Sequence, residues 1–207
     1  MPDARPDCDA LLLAQCACGD ECAWRELYRA HSRRVARFVA AVVGPRQDVD
    51  DLVQQVFVEV LAAARTFRGE ARFSTWLFGI ASHVASRHVR GEVRWRLRRE
   101  AAAADADDGA WPDPARGLEA REALAVVESA VRGLDVAHRI VWVMREVEGL
   151  PGEEVAVALG VPEGTVRSRL FHARRAVTGA LEAAGFGSCG TRGEVVALPA
   201  GQGRAAG

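Results

Sequence analysis

The chain has 207 residues, 49% of them hydrophobic, and a formal net charge of −1. That length suits one large domain or two small ones, and the apolar share supports packed cores, which excludes a disordered chain. No apolar run approaches the roughly 20 residues of a membrane-spanning helix, and Met1 to Asp7 lacks the basic-then-apolar order of a secretory leader, so a soluble, cytoplasmic protein without membrane insertion is expected.

From Ala10 to about Arg99 the apolar residues recur at helical steps. One helix starts at Asp20, an N-cap candidate after Gly19, and would bury Trp24, Leu27, Tyr28, Val35, Phe38, Val39 and Val42 before Gly44-Pro45 ends it. The clearest pattern runs from Val49 to Ala64. There Val49, Leu52, Val53, Val56, Phe57, Val60 and Leu61 form one stripe, opposite Asp48, Asp50, Asp51, Gln54, Gln55 and Glu59. A third helix begins near Ser74 or Thr75 and carries Trp76, Leu77, Ile80, Ala81 and Val84 into an arginine-rich stretch. Trp76 reads as core there, with a base-stacking wedge as the alternative. Ala101 to Gly117 has linker composition, Leu118 to Ala184 is helical again, and the glycine-rich stretch from Gly185 to Gly207 reads as a disordered tail. No strand alternation and no internal repeat is visible. The fold class expected is all-α, two small helical domains over 10–100 and 118–184 joined by a flexible acidic linker over 101–117.

The near-neutral total hides segregation. Arg65 to Glu100 holds nine arginines against three glutamates, a local charge of +6, whereas six acids against two arginines give Ala101 to Glu122 a charge of −4. There is no lysine, so every basic contact is an arginine, whose planar fork grips phosphate and guanine edges bidentately. The five cysteines are Cys8, Cys16, Cys18, Cys22 and Cys189. An odd number argues against a disulfide framework, and Cys16, Cys18 and Cys22 fit no standard zinc spacing. They read as small apolar residues; in a continuous helix, Cys18 and Cys22 would share a face. No cofactor, metal site or catalytic set is expected.

The most specific local pattern lies between Glu153 and Val166. A short helix with small Ala156 breaks at Gly160, which suits the left-handed conformation of a sharp turn, and a second helix follows with Val166 and Leu170 as its apolar face. This is the helix-turn-helix pattern, whose second helix enters the major groove. That helix offers Thr165, Arg167, Ser168, Arg169, His172, Arg174 and Arg175 to bases or phosphates. A helical hairpin with a solvated basic face is the bland alternative.

With these residues in place, the chain from Leu11 to Leu181 resembles the extracytoplasmic-function (ECF) subgroup of the sigma-70 family. Gly19-Asp20 with Trp24 to Tyr28 resembles the family's opening, Asp48 to Phe57 its region 2.2, Phe73 to Ala81 regions 2.3 and 2.4, and Glu153 to Leu170 region 4.2. The resemblance implies a sigma factor that directs core RNA polymerase to promoter DNA. Asp50, Asp51, Gln54 and Gln55 would dock on the clamp helices of the largest polymerase subunit, although by themselves they read as solvated surface. The loop from Phe67 to Phe73 and the helix after it would bind and help melt the −10 element, with Arg72, Ser74, Thr75, His83, Arg87 and Arg90 as contacts. The second domain would read the −35 element, the acidic linker would thread the polymerase channel, and an anti-sigma partner would regulate the protein. The sequence departs from the family's usual residues at Gln55 (commonly Glu), His83 (Asn), Asp135 (Pro) and Pro151-Gly152 (a capping Ser). Rival readings are a stand-alone helix-turn-helix repressor or activator and a protein that only sequesters polymerase. An enzyme fits least, since no glycine-rich phosphate loop, His-Glu-x-x-His or Ser/His/Asp set is present.

Overall fold

The computed structural model describes residues 8–44, 48–69, 71–99 and 118–186. The expected linker and nearly all of the expected tail lie outside them. Helices make up the described chain, with no strand among the described residues, and they fall into two compact units. The all-α, two-domain expectation holds.

The first unit contains α1 (Cys8–Ala17), α2 (Glu21–Val43), α3 (Val49–Ala63) and α4 (Phe73–Arg99), with a 3₁₀ turn at Ala64–Thr66 after α3. The sequence reading named no separate helix before Asp20. In fact the chain turns at Gly19, which adopts φ 93, with Asp20 N–H bonded back to Gln15 O at 3.2 Å and Gly19 N–H to Cys16 O at 2.9 Å. These are the paired bonds of a Schellman ending. Asp20 then caps α2 as expected, its carboxylate accepting from Cys22 N–H at 2.8 Å and Ala23 N–H at 3.2 Å. Asp20→Ala should therefore lower the stability of this unit by about 1 kcal/mol, read as a lower denaturant midpoint with an unchanged slope.

The core of this unit is built by Leu27, Val35, Phe38, Val39 and Val42 from α2, Val56, Phe57 and Val60 from α3, and Phe73, Leu77, Phe78, Ala81 and Val84 from α4. Leu13 and Cys16 close one side from α1. Burial pushes the Cys16 thiol up, with the Asp20 carboxylate adding to the effect, so its sulfur stays protonated and packs as a small apolar group. Cys18 sits in the turn and Cys22 in α2, both exposed, so the shared helical face considered for them does not arise. Two residues expected in the core lie at its edge: Tyr28 is exposed although its ring tilts on Phe57 at 4.7 Å, and Leu61 is exposed on α3. Helix α4 packs on both α2 and α3, which buries two of its faces.

The remaining helices are α5 (Leu118–Arg132), α6 (Val136–Trp142), α7 (Gly152–Leu159) and α8 (Glu163–Ala183), and the second unit takes in α5, α6, α7 as far as Ala156, and α8. Val131, Ile140, Val141, Met144, Leu150, Val155, Ala156, Val166, Leu170, Ala173 and Val177 form its core. Asp135, where the family commonly has proline, caps α6 by accepting from Ala137 N–H at 3.0 Å. The Arg139 guanidinium lies part-buried under the end of α5 and donates to the carbonyls of Arg132 and, at 2.9 Å, of Leu134. Burial lowers its pKa, partly opposed by the Asp135 carboxylate, yet the group stays cationic at any ordinary pH. After Trp142 the helix widens into a π segment, Val143–Val147, where Glu148 N–H reaches back five residues to Val143 O at 2.9 Å. Arg145, from that segment, donates to Leu150 O and holds the following turn.

Candidate nucleic-acid interface

The turn between α7 and α8 sets the geometry of the second unit's exposed face. Gly160 adopts φ 63, and a Cβ there would meet no neighbour, so the requirement is conformational and not spatial. Val161 N–H bonds to Ala156 O at 3.0 Å and Gly160 N–H to Val157 O at 3.2 Å, which ends α7 as a Schellman motif. Pro162 opens α8 without a side-chain cap, and Thr165 N–H already bonds to Pro162 O at 2.9 Å, so the Glu163 and Gly164 amides and the positive end of the helix dipole are what an anion could meet.

Val166, Leu170, Ala173 and Val177 bury one stripe of α8. At 100° per residue, the side directly opposite carries Gly164, Ser168, Phe171 and Arg175, flanked by Arg167 and His172. Ser168, His172, Arg175 and Arg167 are exposed, as the sequence reading expected. Thr165 and Arg169 lie half-buried on one flank. Arg174 lies on the other, close to the core, and forks onto Glu146 Oε1 of the π segment at 3.1 and 2.7 Å. It is thus already engaged with its own protein. Arg167 makes only an exposed pair with Glu163 one turn earlier, at 2.9 Å, the kind of contact worth a few tenths of a kcal/mol.

Phe171 is the residue that the sequence reading passed over. Its ring is 59% exposed in the middle of the basic face and stands edge-on to His172, with centroids 5.6 Å apart. Helical periodicity could have found it, because it falls opposite Val166 and Leu170, where a large apolar side chain has no packing reason to be.

In the first unit, Asp50, Asp51, Gln54 and Gln55 are all exposed. Asp51, Gln54 and Gln55 share one face of α3 with Val58 (66% exposed) and Leu61, so an acidic and amide patch continues into an apolar strip. Residues expected at the −10 element separate into two groups. Arg72, His83, Arg87 and Arg90 are exposed, the last three on one stripe of α4, and Ser74 is half-exposed. Arg87 is bound to Glu59 of α3. Thr75 departs from the expectation, since it is fully buried (0% exposed). It lies with Phe78 and Ser82 on the second buried face of α4, a face that a single amphipathic stripe does not foretell. Trp76 is half-buried and clusters with Phe67 and Phe73, centroids 5.1 and 6.0 Å away, which anchors the loop before α4.

Residues 27–108 match the family model for sigma-70 region 2, and residues 124–177 match that for sigma-70 region 4. The RNA polymerase sigma-H factor of Pseudomonas aeruginosa is 32% identical over 181 residues, covering 84% of this chain and 94% of its own. The chain belongs to the sigma-70 family. This sigma factor falls in the ECF group: the ECF RNA polymerase sigma-E factor of Escherichia coli is 32% identical over 176 residues, 82% of this chain and 92% of its own. Among solved structures, CnrH in complex with the cytosolic domain of CnrY superimposes with a TM-score of 0.61 at 29% identity, covering 86% of this chain and 99% of that one. The sigma factor RpoE of Bartonella quintana, in complex with the anti-sigma factor NepR, shares the fold with a TM-score of 0.65 at 19% identity, over 76% and 96% of the two chains. As an ECF sigma factor, the protein serves transcription initiation by RNA polymerase at promoters. No helix among the described residues is long and apolar enough to cross a membrane.

Proposed function

We propose that this sigma factor docks on the clamp helices of core RNA polymerase through Asp50, Asp51, Gln54 and Gln55 of α3. We further propose that it reads the −35 element through α8 and binds and opens the −10 element with α4 and the loop before it. The observation that carries the reading is the outward face of α8. A glycine-pinned turn presents Arg167, Ser168, Phe171, His172 and Arg175 together, on a helix whose opposite stripe is buried. Arginine there can fork onto guanine, and the Phe171 ring is suited to a thymine methyl group. The uncapped N-terminus of α8 supports a phosphate contact that sets register.

At the −10 element, His83 and Arg90 are exposed on the same stripe of α4 as Arg87. A cationic stripe of this kind can follow a single strand, and its backbone contacts would offset the few kcal/mol that unstacking a base costs. Region 2 would then span about 10–100 and region 4 about 118–184, with 101–117 threading the polymerase channel. The protein acts as a regulatory initiation factor and not as an enzyme, and it works in the cytoplasm, where polymerase and promoters are. CnrH was solved in complex with the cytosolic domain of CnrY, and the Bartonella RpoE with the anti-sigma factor NepR, which supports an anti-sigma partner here too.

The test is transcription in vitro with core polymerase on a pool of genomic promoter fragments. Discrete starts sharing −35 and −10 patterns, absent without the protein, are expected. No initiation, with specific DNA shifted by the protein alone, would instead favour a stand-alone repressor or activator.

A further inference from the structure

Asp48 occupies the N-cap position of α3, yet its side chain makes no cap hydrogen bond. An aspartate there ordinarily accepts from a first-turn amide. This one turns toward α4, where its Oδ2 lies 2.9 Å from His88 Nε2. Glu92, one turn further along α4, brings Oε2 to 3.8 Å from the same nitrogen. One donor atom from each of the three residues lies within 4.8 Å of the others. Asp48 Oδ1 is shut off from solvent and has no hydrogen-bond partner, a costly arrangement for a group of this polarity. Nothing in the docking or DNA-reading roles uses this cluster.

The three residues have the chemistry and spacing of metal ligands. Around a tetrahedral ion with bonds of about 2.0–2.2 Å, ligand atoms stand about 3.3–3.6 Å apart, between the two distances found here. One imidazole with two carboxylates suits zinc and its neighbours in the transition series. Magnesium and calcium prefer six or more oxygens. We propose that Asp48, His88 and Glu92 bind a divalent transition-metal ion of the zinc type, with water as the fourth ligand. The ion would bridge the three side chains and tie the start of α3 to the middle of α4. If the roles proposed above for those helices hold, it would join the polymerase-facing helix to the −10-facing one; the binding itself does not depend on those roles.

The test uses the full chain, stripped with chelator, with Cys8, Cys18, Cys22 and Cys189 changed to serine so that thiolates do not compete. Calorimetric titration with Zn²⁺ should show one ion per chain with a Kd of about 10 μM or tighter, weakened about tenfold or more in both His88→Ala and Glu92→Gln. Co²⁺ should give visible d–d absorption that both variants lose. Glu92 is half-exposed, so Glu92→Gln carries the test even if His88→Ala fails to fold. Absence of saturable Zn²⁺ binding, or equal binding by wild type and Glu92→Gln, would overturn the proposal. No polymerase or DNA is present in this assay, so its failure leaves the promoter reading untouched, and the converse holds.

Discussion

Arg167→Ala and, separately, Arg175→Ala are expected to lower promoter-directed transcription by about tenfold or more. A bidentate arginine–guanine contact discriminates by about 1–3 kcal/mol, and 1.4 kcal/mol is a factor of ten. Core polymerase binding should stay within about twofold, because neither side chain belongs to the proposed docking face of α3 and exposed substitutions rarely disturb a fold. Arg174→Ala supplies the contrast. Its guanidinium is committed to Glu146, so its loss should change initiation by less than about threefold while loosening α8 against the π segment. Initiation on one fixed promoter, well below the melting temperature, together with anisotropy for core binding, separates the effects. If Arg174→Ala proves as damaging as Arg167→Ala, or if core binding falls in either DNA-face variant, the division of roles along α8 is wrong.

A comparable loss, on a different readout, is expected for Asp51→Arg. If the α3 face docks on polymerase as proposed, a cation placed there sets like charges together, which costs several kcal/mol at an interface, so affinity for core polymerase should fall by about tenfold to a hundredfold. The helix itself loses only about 0.3–1 kcal/mol from an arginine in its first turn, so the melting curve should move little. Competition against unmutated protein for limiting core gives the affinity. An unchanged value would remove Asp51 from the docking surface and leave the α3 face as ordinary solvated surface.

How far the sequence could carry these assignments varied with the physics involved. Asp20, Gly160 and the stripe from Leu52 to Val60 act locally: a cap, a left-handed turn and a single buried face each write their requirement into neighbouring residues. Those features were legible. Pairings between distant segments were not, since nothing local tells Arg174 that Glu146 stands beside it, 28 residues away. The same holds for Arg87 with Glu59, and for Asp48, which the sequence presents simply as polar surface. Thr75 was misplaced for a related reason. A helix packed on one side obeys one stripe, whereas α4 is packed on two, and its second buried face includes hydroxyls as well as apolar groups. Tyr28 and Leu61 err the other way, because periodicity gives a direction and not a depth. The residues proposed from sequence to contact DNA were a set of seven; α8 sorts them into a central exposed group, two flanking side chains and one anchor.

The widened turn at Val143–Val147 carries a consequence of another kind. A π segment holds one residue more than regular helix would over the same length. Deleting one residue there would restore regular hydrogen bonding, so the edit would look harmless, even helpful, to local stability. It would also rotate the residues of that helix that follow the deletion by about 100° about its axis. Glu146 would then face away from Arg174, and the Arg145 latch on Leu150 would be lost. The contact between α8 and the π segment thus depends on an irregularity in a different helix, and a descendant chain that tidied it would gain a better helix and lose that contact.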